Sequence, residues 1–134
     1  LDELDTGGIP VRLVTISFDP ARDTPEALQA AAAKLGADPA VWTFLTGAPE
    51  RLKWLIGGGF SVYYEEREPG DFRFDPAFML VDGAGVLRAE YRTAVPDPDR
   101  ILRDIRLVAE EVHNRQGVAN YAYDAAHLFL CYPR

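Results

Sequence analysis

The chain has 134 residues, 48% hydrophobic and 26% charged, which is one domain's worth of chain with enough apolar residues for a single core. Its formal net charge is -7 and its 14 basic residues are scattered, so a nucleic-acid partner, which needs a basic face, is excluded. No apolar run reaches the roughly 18–20 residues of a membrane span, and a lone cysteine, Cys131, rules out an internal disulfide or dithiol.

The opening "LDELDTGG" reads as the tail of a helix rather than a secretory signal. Val11 to Phe18, "VRLVTISF", is rich in β-branched and aromatic residues and is expected to form a buried strand. A helix follows from Asp23 or Thr24, with Pro25 in its first turn, Glu26 near its positive end and Gly36 as the stop. "VWTFL" is a second strand. "APERLKWLIGGG" is a second helix that starts at Pro49, turns Leu52, Leu55 and Ile56 to one face, and ends from Gly57 onward.

"FSVYY" is expected to be a short extended piece and "EEREPGD" a solvated loop. "AFMLV" and "VLRAEY" pair across "DGAG" as a hairpin. The longest helix runs from Asp97 and Pro98 to a stop at Gly117, with Ile101, Ile105, Val108 and Val112 on one face. The element order argues for an α/β or α+β sheet with helices on both faces over residues 1–117, followed by an apolar C-terminal extension over 118–134.

"TISFDPARDTPEAL" resembles the Sco/SenC family of thioredoxin-fold copper chaperones, through a strand ending in DPxxDTP that runs into a helix. "FLTG", "FSVYYE" and the terminal "LCY" resemble further landmarks of that family in the same order. The resemblance implies a thioredoxin-like fold, a periplasmic or otherwise extracytoplasmic, membrane-associated setting, and a part in cytochrome c oxidase assembly. It further implies copper held by a CxxxC pair and one histidine, with thiol–disulfide exchange as an associated activity. The partner would be a respiratory oxidase subunit or a redox protein, and any membrane anchor would lie outside this chain.

Several family features are absent from the sequence. The CxxxC motif belongs upstream of a helix ending near "LDELD", and the family histidine aligns with Phe74 or Asp75. Copper favours soft thiolate and imidazole donors, which the carboxylates of Asp19, Asp23 and Asp75 replace poorly. No cofactor and no catalytic residue are therefore expected within this chain. Oxidoreductase activity would need a dithiol upstream, as would a peroxiredoxin-like peroxidase. The alternative is a non-catalytic thioredoxin-like binding or structural subunit.

"DPAFMLVDGAG" also resembles the thioredoxin pattern in which a cis proline opens a strand. Pro76 is read either as that cis proline or as a trans proline at a strand edge. The motif positions expected to matter for binding are Asp19, Asp23, Asp75 and Pro76. Asp19 and Asp23 also have a purely structural reading, as acceptors for backbone N–H groups at a helix start. Arg22 between them reads as a surface ion-pair partner, and Cys131, in "LFLCY", as an inert buried thiol with His127 four residues before it. A thioredoxin-type sheet would further place its first strand beside "VRLVTISF". The family's first strand and helix are thus expected to come from an upstream segment or another chain.

Overall fold

A computed structural model of the chain describes residues 10–115. The expected extension over 118–134, with His127 and Cys131, lies outside these residues. The elements follow the order β1 (Leu13–Ile16), α1 (Pro25–Lys34), β2 (Trp42–Leu45), α2 (Pro49–Leu52), β3 (Tyr64–Glu68), β4 (Asp71–Phe74), β5 (Phe78–Val81), β6 (Leu87–Tyr91) and α3 (Pro98–Arg115).

Among the described residues the strands form three two-stranded ladders. β1 and β2 run parallel, with Leu13 opposite Trp42 and Ile16 opposite Leu45. The Trp42 indole N–H donates to Thr15 Oγ1 across this pair at 2.9 Å, and the Trp42 and Phe44 rings stack 5.0 Å apart. Helix α1 connects the two strands, as parallel pairing requires. Thr24 is its N-cap, accepting from the Ala27 N–H, and Pro25 sits in the first turn. At the far end Gly36 takes φ +64°, while the N–H groups of Gly36 and Ala37 reach back to the carbonyls of Ala33 and Ala32. This is a Schellman closure, and it is why the glycine marks the stop.

The second helix departs from expectation. α2 is a single turn begun by Pro49, and the chain then continues through a π-helical segment from Lys53 to Gly59. Its closing bond runs from the Phe60 N–H to the Leu55 carbonyl. Gly57, Gly58 and Gly59 therefore lie inside the helical run rather than beyond its end. Residues without side chains tolerate the wider winding, and such segments occur often at functional sites.

"EEREPGD" is not a loop. Tyr64–Glu68 is β3, paired antiparallel with β4 around a turn at Pro69 and Gly70, with a register shift between Glu66 and Glu68. Glutamate and arginine score poorly as strand formers, yet on a solvent-exposed edge their charge is tolerated and discourages pairing with other chains. Of "FSVYY", only Tyr64 belongs to this strand. The hairpin of β5 and β6 has the expected turn, closed by Asp82 N–H to Val86 carbonyl and Gly85 N–H to Asp82 carbonyl bonds.

The residues divide into two compact units. One holds 11–79 and 90–96, with a core of Leu52, Ile56 and Tyr64 against Ile16, Phe18, Val62 and Phe72. The other includes 80–89 and α3. On α3, Ile105 and Ala109 are buried, with Ile101, Val108 and Val112 half-buried beside them, so the expected apolar face is present. Arg88 on β6 forms ion pairs with Asp82 in the hairpin turn and Glu111 on α3, tying helix to hairpin.

Candidate functional site

The DPxxDTP motif forms the connection from β1 to α1, and its side chains bond one another. The Ser17 hydroxyl donates to the Asp23 carboxylate, and the same oxygen accepts from the Asp19 N–H at 3.0 Å. The Asp19 carbonyl accepts from the N–H groups of Arg22 and Asp23, while its carboxylate pairs with Arg22 Nε at 3.1 Å. Both motif aspartates thus shape the turn that delivers the chain to the Thr24 cap. Beyond that cap, the Glu26 carboxyl is held below its ordinary range by its own backbone N–H and the Thr24 hydroxyl.

Arg22 has a second role that sequence reading missed. Its guanidinium lies against Gly70 in the β3–β4 turn, where a Cβ would collide with it and where φ is +85°. Gly70 therefore serves both the turn and the close approach. A glycine beside a proline in an acidic loop was the available signal, but nothing local to either residue links positions 22 and 70.

Phe18 joins this motif to the second one. Its ring centroid lies 5.1 Å from those of Tyr64, Phe72 and Phe74. Asp19 and Asp75 each directly follow a member of the Phe18–Phe74 pair, so the packing brings the two motif segments together. No bond links Asp75 with Asp19 or Asp23. Asp75 donates its N–H to the Tyr63 carbonyl at 3.0 Å and exposes its side chain, while Pro76 is half-buried. The bond before Pro76 is trans. The cis alternative is thereby corrected: β5 begins two residues later, at Phe78, so the proline opens an extended approach without displacing a sheet donor.

Beside the aromatic cluster, an open groove of about 710 Å³ runs between the α2–π segment and β3. Lys53 Nζ donates to the Tyr64 carbonyl at 2.9 Å and stands 4.5 Å from the centre of the Tyr64 ring. Burial pushes the Tyr64 hydroxyl above its ordinary pKa. The neighbouring Tyr63 is raised as well, chiefly because its O–H donates to the Glu65 carboxylate at 2.6 Å.

The donors in the two motif segments are carboxylates and the Ser17 and Thr24 hydroxyls, the wrong set for Cu(I). No group of three or more His, Cys, Asp or Glu side chains able to hold a metal ion occurs among the described residues. No helix among them is long and apolar enough to cross a membrane. The geometry presents a braced loop that packs, through Phe18, on a largely buried aromatic cluster.

A family model described as SCO1/SenC matches residues 1–110. The crystal structure of a SCO1/SenC family lipoprotein from Bacillus anthracis str. Ames is similar to this chain, with 29% identity and a TM-score of 0.69. The similarity covers 81% of this chain and 62% of that one, so the chain spans less than two thirds of that relative's length. A comparison with curated proteins returns no significant match.

Proposed function

The chain belongs to the SCO1/SenC family, and from that premise we propose that it is an extracytoplasmic, membrane-associated accessory protein for respiratory oxidase assembly, acting in copper delivery or thiol–disulfide redox. The observation that carries this reading is the family match over residues 1–110, which includes the braced DPxxDTP loop. The lipoprotein nature of the solved relative supports the setting. Copper is cargo in this reading. Phe74 and Asp75 stand where the family histidine is expected, and the surrounding carboxylates suit Cu(I) poorly. The contribution of residues 10–115 is then to recognise the partner and present the loop.

A specific observation favours a second reading, that of a non-catalytic thioredoxin-like subunit. Asp19 and Asp23 are committed to Arg22 and Ser17, so neither is left as a loose acid or ligand. Deleting the gene in its host and measuring the copper content and activity of the terminal oxidase tests the first reading. We expect both to fall and to recover when the gene is restored; unchanged copper loading would leave the structural subunit as the better account. Separately, Cu(I) titration of the purified chain under reducing conditions is expected to show no tight stoichiometric binding. A tight one-to-one complex would overturn the donor argument.

A further inference from the structure

We propose that the groove between the α2–π segment and β3 docks an extended, arginine- or lysine-bearing segment of a partner protein. Two carboxylates on its walls, Glu50 and Glu66, face one cation, Lys53, which is turned onto Tyr64. The Gly70 N–H donates one hydrogen bond to Glu66. This bond steadies that carboxylate and leaves its charge and remaining lone pairs available.

Above this rim stands Trp54, 76% exposed, an unusual place for a large apolar side chain on a helical segment. An indole face attracts a cation, guanidinium above all, and a carboxylate beside it accepts the guanidinium fork. Tyr64 and Phe72 supply the apolar floor for the alkyl stems of such side chains. An anionic lipid surface would be repelled by this rim, and a second copy would bring its own net charge of -7. The inference does not depend on the copper or redox reading.

Calorimetric titration of the whole chain with a short amidated glycine–arginine repeat peptide tests it. We expect saturable binding that weakens with added salt and is absent for a glycine–glutamate repeat. Trp54→Ala should weaken the complex about tenfold, and the paired change Glu50→Gln with Glu66→Gln should do likewise. Because Trp54 is exposed, the thermal melt of its variant serves to confirm an intact fold. Absence of saturable binding overturns the proposal. So does an affinity that ignores both variants, or Trp54-dependent self-association or binding to acidic-lipid vesicles in its place.

Discussion

At the scale of single residues, Ser17 does more than its place beside a motif suggests. It donates to Asp23 and accepts from the Asp19 N–H, so Ser17→Ala removes two bonds and leaves a half-buried carboxylate and amide short of partners. A loss of about 1–2 kcal/mol in urea unfolding is expected. The change Asp23→Asn would retain an acceptor for the Ser17 hydroxyl and cost less. Tyr63 offers a pH test. Its pKa is raised because its O–H donates to Glu65, so the contribution is fully present below the ordinary tyrosine value and is lost as pH rises through the shifted one. Spectrophotometric titration should show two tyrosines, Tyr63 and Tyr64, ionising late, and Glu65→Gln should bring one of them back toward the ordinary range while burial keeps the other raised. Ionisation unaltered by that change would remove Glu65 as the cause. Thr24, Pro25 and Gly36 were legible in the sequence because a cap or a positive φ depends only on the nearest few residues.

At the scale of elements, the segment from Pro49 to Gly59 is where local rules fall short. Pro49 and the apolar spacing of Leu52, Leu55 and Ile56 announce a helix correctly. They do not announce its widening, because α- and π-winding differ by one residue in hydrogen-bond reach, and packing chooses between them. Leu52 and Ile56 are the buried anchors of that packing, and Leu52→Ala is expected to destabilise the protein by about 2–4 kcal/mol in chemical denaturation. A change below about 1 kcal/mol would mean that the core there is more yielding than its burial indicates. The β3–β4 hairpin shows the reverse problem. "EEREPGD" has loop composition, and only the pairing of Tyr64 with Phe74 and Glu65 with Arg73 makes it a strand.

At the scale of the whole molecule, β1 carries the clearest consequence. Among the described residues it pairs with β2 alone, and Leu13 and Val14 are 45% and 56% exposed. A strand with that character invites pairing along its other edge. We therefore expect the purified chain of 134 residues to self-associate through that edge. Sedimentation showing a monomer across the accessible concentration range would refute this.

The sequence alone determined the Thr24 cap and Gly36 stop of α1, the DGAG hairpin, the apolar face of α3 and the family-bearing loop at Asp19 to Pro25. Each rests on interactions within a few residues or on a short repeating pattern. Only the tertiary structure decided that Arg22 packs on Gly70, that Phe18 gathers Tyr64, Phe72 and Phe74, and that a trans Pro76 follows that cluster. It likewise decided that an acidic stretch pairs as a strand beside an exposed tryptophan. These contacts join residues dozens of positions apart, and their energy comes from close packing and desolvation, which no local propensity encodes.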